Sequence, residues 1–370
     1  MRIAIDALPL LGDTGVTTYL REVIKEMIKI DENFYDLYFR ISIRNKRIEL
    51  PYLDSKNISI NKIRIPNKIL EYFWTFNRKK FPLKVFKDAN VFWSTVYFVP
   101  NVNFPVVSTF YDITPLKIDE YKKFREELIL RLKNVVNYSR FIIAISESAK
   151  NDICELFNLK SEKVYVTHLA ASDIYRPIPK NEVKEFLIRH YNIDYDYILY
   201  VGNMGPHKNL INLVRAYNLV RNKFDIKLIL CGKTSHADDV FNEIEKLNLS
   251  SFIKILKFVP VEHLPYLYNG ATLFVYPSRY EGFGLPVLEA MKCGVPVITS
   301  NVSSLPEVGG DAAAYVVPHD LENIANSILN IIQSDSLRKE LSIKSFERAK
   351  LFSWNITAQK TMEVFKKAIL

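Results

Sequence analysis

The stretch that offers the most chemistry is VYPSRYEGFGLPVLEAMKCGVPVITS, residues 275–300, because it combines two carboxylates with a glycine loop. We predict that Gly282 and Gly284 form a loop that leads into a helix. The first turn of a helix presents unpaired N–H groups and a positive dipole, which attract an anion such as a diphosphate. Carboxylates are good acceptors for hydroxyl groups, so Glu281 in the loop and Glu289 in the helix could bind a hexose and a ribose.

These residues must be positioned by a regular framework, and the rest of the sequence predicts one. Apolar, β-rich runs alternate with helical patterns, which is typical of α/β folds with parallel sheets. The predicted strands are residues 2–7, 34–40, 91–96, 106–110, 141–146, 197–203, 226–232, 252–259, 273–278 and 296–300. The predicted helices are residues 17–30, 121–137, 146–157, 286–292 and 323–332, with two more that begin near residues 209 and 237.

Two domains follow from the length of 370 residues and from a pattern that restarts after a proline-containing stretch. We place the first domain at residues 1–176 and the second at residues 177–353. Each is expected to be a doubly wound sheet, and ligands of such sheets bind beyond the carboxyl ends of the strands.

The composition favours a globular protein of a reducing compartment. Apolar residues make up 48% and charged residues 25% of the chain, which excludes a disordered protein. The three cysteines are far apart and show no metal-ligand spacing, so we expect a cytoplasmic location. Residues 89–111 carry no charge, but their prolines and β-branched clusters favour two buried strands over a membrane span.

The net charge of +9 is unevenly distributed. Nine Lys and Arg residues, but only two acidic ones, lie among aromatic residues in the segment 51–87. Such a mixture could bind the anionic inner face of a cell membrane, or it could be a solvated lysine-rich surface. Both interpretations stay open, and we do not expect nucleic acid as a partner.

The motif Glu281-x7-Glu289, inside EGFGLPVLEAMKCGVPV, resembles the signature of the retaining glycosyltransferases of family 4, also called glycosyl transferases group 1. YVGNMGPHKNLINLVRAY from Tyr200 and SSLPEVGGDAAAYVVP from Ser303 are similar to the family as well. The resemblance covers essentially the whole chain, most closely its second half, and its general pattern is that of bacterial mannosyltransferases of polysaccharide assembly. It implies a GT-B fold, in which two Rossmann-like domains face each other across a cleft. The first would be the acceptor-side domain and the second the donor-binding domain.

The resemblance also implies roles for individual residues. Glu281 would position the hexose, Glu289 would accept hydrogen bonds from the ribose, and Lys208 would neutralise the diphosphate. Gly15 would let the first strand–helix loop approach the phosphates or the acceptor. The implied donor-binding residues are Gly15, Gly202, Lys208, Gly232, Lys233, Glu281, Gly282, Phe283, Gly284, Leu285 and Glu289.

Several positions depart from the family pattern in the second half. Many relatives have Arg where this chain has Asn203, and some have Arg at the position of His207. Lys233 could therefore share the phosphate charge with Lys208. His207, His263 and His319 show no partner pattern and are predicted to be surface residues.

A further departure lies at the end of the fourth predicted strand. Relatives often have a His-Asp pair where this chain has Tyr111 and Asp112, and the chain contains no histidine before His168. A histidine-dependent mechanism at this position is therefore excluded. Together with Glu281 and Lys208, we include Tyr111 and Asp112 as candidate catalytic residues that could orient the hexose or the acceptor.

The implied reaction is transfer of a hexose, with retention, from a nucleotide sugar to a glycan or lipid-linked acceptor. GDP-mannose is the leading donor and UDP-hexoses come next. We expect neither a cofactor nor a metal, on the view that the chain lacks a metal-binding Asp-x-Asp motif. The alternatives are a sugar-nucleotide 2-epimerase and an inactive nucleotide- or glycan-binding protein. The resemblance assigns the terminal helix, residues 354–370, to the first domain.

Overall fold

The computed structural model describes residues 1–40, 50, 53, 55–66, 69–70, 72–77, 86 and 89–370. The chain forms two compact units, one of Met1–Leu169 with Ser353–Leu370 and one of Ala170–Phe352. The second unit begins before the predicted boundary at residues 176/177. The reason is that the Tyr175 ring packs edge-on against Tyr268 at 5.7 Å between ring centroids, which fixes this segment to the second unit.

The first unit is built on a parallel sheet of order β3-β2-β1-β4-β5-β6-β7. The strands are β1 (Arg2–Asp6), β2 (Phe34–Arg40), β3 (Ile58–Ile63), β4 (Val91–Ser94), β5 (Val106–Phe110), β6 (Phe141–Ala144) and β7 (Val164–Val166). The helices are α1 (Gly15–Ile30), α2 (Thr114–Lys117), α3 (Arg125–Tyr138) and α4 (Glu147–Phe157). Short 3-10 turns occur at Leu8–Leu11, Asp119–Phe124 and Ser161–Lys163, and a π-helical segment at Tyr72–Asn77.

Helix α1 shows how the sequence specifies these elements. Thr14 caps its first turn in a reciprocal capping box with Thr17. Its buried side chains recur at three- and four-residue intervals and form one apolar face toward the sheet. They are Thr17, Tyr19, Leu20, Val23, Ile24 and Met27.

The second unit is built on a parallel sheet of order β10-β9-β8-β11-β12-β13. The strands are β8 (Tyr197–Val201), β9 (Lys227–Cys231), β10 (Ile253–Leu256), β11 (Leu273–Tyr276), β12 (Val297–Ser300) and β13 (Ala313–Val316). The helices are α5 (Lys180–Tyr191), α6 (Leu210–Arg221), α7 (Asp238–Lys246), α8 (Leu264–Gly270), α9 (Leu285–Lys292), α10 (Leu305–Gly309), α11 (Leu321–Gln333) and α12 (Asp335–Ala349). Short 3-10 turns occur at Pro206–Lys208 and Val261–His263.

The last helix, α13 (Trp354–Ile369), lies in the first unit. Its Trp354 ring is 6.3 Å from the Tyr19 ring of α1, and Phe365 contacts Trp93 of β4 edge-on at 5.5 Å. The Thr357 hydroxyl donates to the His168 carbonyl, at 2.5 Å. These aromatic contacts hold the end of the chain on the first sheet.

The strands β3, β7 and β13 were not predicted. Strand β7 has only three residues, β13 is rich in alanine, and most positions of the edge strand β3 are not fully buried. Parallel strands that are covered on both faces are the most hydrophobic, and a long apolar run marks them in the sequence. None of these three strands has such a run.

The uncharged stretch 89–111 forms β4 and β5, as predicted. Within the described ranges, no helix is both long enough and apolar enough to cross a membrane. The basic and aromatic segment 51–87 is described only in part, so its contact with a membrane stays a prediction. The basic residues outside the described ones are Lys68, Arg78, Lys79, Lys80, Lys84 and Lys87.

Candidate active site

The candidate site lies at the carboxyl edge of the second sheet, where the strand order reverses. β8 and β11 are parallel neighbours, with β9 and β10 on one side and β12 and β13 on the other. In open α/β sheets such a switch point is where ligands bind, because the loops diverge there and leave a crevice. The loop after β8 carries Gly202 and Lys208, and the loop after β11 carries Glu281.

The structure brings Lys208 and Glu281 into direct contact. The Lys208 Nζ is 2.5 Å from Glu281 Oε1, and their side chains are only 9% and 11% exposed. The same ammonium donates to the Tyr276 hydroxyl at 2.5 Å. Burial raises the pKa of the Glu281 carboxyl, but Lys208, His207 and the hydrogen bonds from Lys208 and Ser278 together outweigh it, so the pKa is lowered. Glu281 is therefore an ionised hydrogen-bond acceptor at neutral pH.

The turn that carries Lys208 is held in place by Asn209. This residue adopts the left-handed conformation, with φ of +62°, and occupies the N-cap position before α6. Its side-chain amide donates to the carbonyls of Pro277, at 3.0 Å, and Pro318, at 2.5 Å. Asparagine tolerates this backbone conformation better than most residues do, so one residue both redirects the chain and links three loops.

Arg279, which was not predicted as a site residue, links the same turn to the loop of Glu281. Its backbone N–H donates to the His207 carbonyl at 2.8 Å, and its Nη2 donates to the Pro206 carbonyl at 2.9 Å. With Asn209 it fixes the distance between the two loops. Arg279 lies between Ser278 and Glu281 in the motif itself. However, an arginine that donates to backbone carbonyls has no sequence pattern that would reveal its partners.

The prediction that three histidines are surface residues is wrong for two of them. His207 is half-buried beside Lys208, and burial is the main cause that lowers its pKa to about 4, so its ring is neutral at pH 7. His263 is also half-buried, with its Nδ1 2.8 Å from the Tyr191 hydroxyl. His319 is exposed, as predicted.

The glycine loop has the predicted form and leads directly into α9. Gly284 has a φ of +105° and occupies the N-cap position, where a Cβ atom would lie 2.8 Å from Leu305. Gly282 and Phe283 are buried, and Leu285 begins the helix. Glycine at 284 is thus required by the backbone conformation, and a side chain there would also displace the end of the Leu305 side chain. The unpaired N–H groups of the first turn of α9 therefore lie next to this loop, which is the arrangement that binds an anion.

Glu289 lies in the middle of α9 and accepts a hydrogen bond from the Tyr268 hydroxyl at 2.8 Å. Burial raises its pKa to about 7, although hydrogen bonds from Tyr268 and Tyr175 oppose the rise. Neither tyrosine was selected from the sequence. The carboxyl that we expect to bind the ribose is therefore only partly ionised at neutral pH.

This raised pKa predicts a pH-dependent stability. Between pH 4.5, the ordinary pKa, and about 7, the folded protein holds a proton that the unfolded chain releases. Stability should therefore fall as the pH rises through this window, by roughly 3 kcal/mol. Glu289→Gln should remove the fall, which urea unfolding of both proteins at several pH values between 4 and 8 will measure. Parallel stability curves for the two proteins would contradict the assignment.

Gly202 and Gly232 follow β8 and β9 and lie against each other. A side chain at position 232 would collide with the carbonyl of Gly202, and both residues have positive φ, +154° and +139°. Close approach of the two backbones accounts for Gly232, whereas a Cβ atom at Gly202 would lie 2.8 Å from the Tyr200 hydroxyl. A role of either glycine in binding the donor stays a prediction. Lys233 is exposed, while its carbonyl accepts from the Met204 N–H at 3.0 Å.

The remaining candidates lie in the first unit. Gly15 is the exposed first residue of α1. The Tyr111 hydroxyl donates to the Thr95 carbonyl at 2.8 Å, and burial raises its pKa well above the ordinary value. The Asp112 Oδ1 accepts from the N–H of Thr114 at 2.8 Å, at the start of α2. Both side chains thus have structural contacts, and their catalytic roles stay predictions.

The view that the chain lacks an Asp-x-Asp motif is wrong, because Asp194 and Asp196 flank Tyr195. These carboxylates are exposed and precede β8, so they lie at the amino edge of the sheet, opposite the loops of Lys208 and Glu281. In the part of the chain that the structure describes, no three His, Cys, Asp or Glu residues could together hold a metal ion. Metal independence stays a prediction.

Solved structures with the same fold extend over nearly the whole chain. A sucrose-phosphate synthase from Thermosynechococcus elongatus superposes with a TM-score of 0.77 and 20% identity, covering 99% of this chain and 98% of that one. HepE from Anabaena, in complex with UDP-glucose, superposes with a TM-score of 0.76 and 14% identity, covering 99% and 100%. The predicted two-sheet GT-B architecture is confirmed.

Sequence comparison identifies the family. Residues 183–348 match the model of glycosyl transferases group 1. O-antigen chain mannosyltransferase B from Escherichia coli is 37% identical over 299 residues, covering 78% of this chain and 77% of that protein. The predicted resemblance to bacterial mannosyltransferases of polysaccharide assembly is thereby confirmed, and the chain belongs to the group 1 glycosyltransferases.

Proposed function

We propose that this glycosyltransferase moves mannose from GDP-mannose, with retention at the anomeric carbon, to a glycan or lipid-linked acceptor. The observation that carries the proposal is the buried Lys208–Glu281 pair at the switch point of the second sheet. The choice of mannose follows the similar Escherichia coli protein, which is an O-antigen chain mannosyltransferase.

The site supplies opposite charges to the two parts of such a donor. Lys208 would meet the charge that develops on the leaving diphosphate, together with the N–H groups at the start of α9. Glu281 is ionised and would accept from hexose hydroxyls, a positioning role that needs no nucleophile. In the free protein the two side chains neutralise each other, so the donor must replace part of that contact.

The other half of the reaction belongs to the first unit. We assign the acceptor to it, and Gly15, Tyr111 and Asp112 remain its candidate residues. A cytoplasmic enzyme that meets lipid-linked acceptors could use the basic and aromatic segment 51–87 to contact the membrane. We propose that neither a metal nor a cofactor takes part.

A thermal-shift panel of GDP, UDP, GDP-mannose and UDP-glucose tests the donor. We expect GDP-mannose to raise the melting temperature most and to be hydrolysed slowly to GDP. Glu281→Ala should abolish both the extra stabilisation by the sugar and the hydrolysis. The matched control is Glu245→Ala, which removes an exposed glutamate from α7 of the same unit. If no nucleotide sugar stabilises the protein, the proposed function is wrong.

The anomeric outcome is a separate measurement. Proton NMR of the product formed from an α-linked donor should show an α-linkage. A β-linked product would overturn the retaining mechanism while leaving the donor assignment intact.

A further inference from the structure

The loop of Glu281 rests on a segment that the reaction itself does not explain. This segment, residues 301–304, connects β12 to α10 and contains two serines, Ser303 and Ser304. The Glu281 N–H donates to Ser303 Oγ at 3.0 Å. The Ser303 hydroxyl in turn donates to the Val302 carbonyl at 2.8 Å, which leaves its lone pairs facing the Glu281 N–H.

Ser304 provides a second set of hydrogen bonds to the loop of Glu281. Its Oγ lies 3.0 Å from the Glu281 carbonyl and 2.9 Å from the Phe283 carbonyl, so its one proton is shared between two backbone acceptors. The residue is fully buried. Hydrogen bonds in such an environment fix their partners more strictly than exposed ones, because water cannot replace them.

The backbone of this segment is strained at the point of contact. Ser303 has a φ of +52°, which is uncommon for a residue with a side chain. Such conformations are unfavourable and persist where the surroundings enforce them, often at functional sites. Leu305, the next residue after the serines, is the one that a side chain at Gly284 would strike. The two loops are therefore shaped to each other.

We propose that Ser303 and Ser304 are positioning residues that hold the Glu281 carboxylate where it meets the donor sugar. The proposal rests on the proposed function, because positioning Glu281 affects the reaction only if Glu281 binds a hexose. Three hydrogen bonds clamp the main chain on both sides of Glu281, while Lys208 holds its carboxylate. The sugar-binding group is thus set before the donor arrives.

The test compares Ser304→Ala with Ser300→Ala. Ser300 is an equally buried serine in β12, and among the described residues its hydroxyl has no hydrogen-bond partner, so its loss should change little. We expect Ser304→Ala to lower kcat for GDP-mannose roughly tenfold, the equivalent of one or two buried hydrogen bonds. Affinity for GDP, which has no sugar, should stay within about twofold of the unaltered protein, since Lys208 and α9 are untouched.

A double-mutant cycle separates positioning from a general loss of structure. In a Glu281→Asp background, whose shorter side chain already misplaces the carboxylate but leaves turnover to measure, Ser304→Ala should cause much less than its tenfold loss, because its effect passes through Glu281. Ser303→Gly gives a second route: it removes the hydroxyl but relieves the strained φ, so it should keep the melting temperature and still lower kcat. Full activity of both serine variants, or additive losses in the cycle, would overturn the inference alone. Failure of the unaltered protein to bind any nucleotide sugar would overturn it together with the proposed function.

Discussion

Lys208→Met is expected to cost both stability and activity, more than any other single change at the site. The substitution keeps the apolar stem but leaves the buried Glu281 carboxylate without its cation. Breaking one side of a buried ion pair costs on the order of 3 kcal/mol, because the remaining charge is not solvated. Donor turnover should fall roughly 10²–10³-fold, the size of effect seen when a group that stabilises developing charge is removed.

The two losses can be separated with a second substitution. Lys208→Met combined with Glu281→Gln should recover most of the unfolding free energy, since no buried charge remains, but none of the turnover. Urea unfolding and initial rates with GDP-mannose measure the two quantities. Lys184→Met, at an exposed lysine of α5 in the same unit, is the matched control and should change turnover by less than about threefold. Turnover by Lys208→Met within that same range would rule out its role at the diphosphate.

The parts of the site that could be predicted are those encoded locally. The run EGFGLP predicts a glycine loop at Gly282 and Gly284 and a helix from residue 286, because glycine and proline decide the backbone within a few residues. The φ of +105° at Gly284 and the start of α9 at Leu285 agree with it to within one residue. The parallel arrangement of the strands then places this loop at the carboxyl edge of the sheet. The family resemblance supplied the roles of the residues.

The parts that could not be predicted depend on residues far apart in the chain. Lys208 and Glu281 are 73 residues apart, and the sequence gives no sign that they form an ion pair with each other. The same holds for the hydrogen bond from Tyr268 to Glu289, and for the bonds from Arg279 to the backbone carbonyls of Pro206 and His207. Tertiary contacts of this kind change the charge state of a site without changing its motif.

Gly232→Ala is expected to be the most destabilising substitution outside the ion pair. A methyl group at this position would collide with the carbonyl oxygen of Gly202 and lie 2.7 Å from its carbonyl carbon. Backbone atoms cannot rotate away as a side chain can, so the turns after β8 and β9 would have to separate. Two hydrogen bonds join these turns, from Gly202 N–H to the Cys231 carbonyl at 2.9 Å and from Met204 N–H to the Lys233 carbonyl at 3.0 Å. We expect a loss of about 3 kcal/mol or more in the free energy of unfolding.

Gly294→Ala is the matched control because it isolates the backbone term. Gly294 also has a positive φ, +72°, but a Cβ atom there would make only an ordinary contact, 3.7 Å from Ser342 Oγ. The Gly294→Ala substitution should lower the free energy of unfolding by about 1 kcal/mol, the cost of the left-handed conformation alone. The additional loss of unfolding free energy in Gly232→Ala then measures the cost of the collision between the two turns.

The turn after β8 continues to Lys208. The folded fraction of Gly232→Ala should therefore also bind GDP more weakly, whereas Gly294→Ala should bind it normally. Equal unfolding free energies for the two variants would show that the turns can separate at no cost, and that their contact does not hold Lys208 in place.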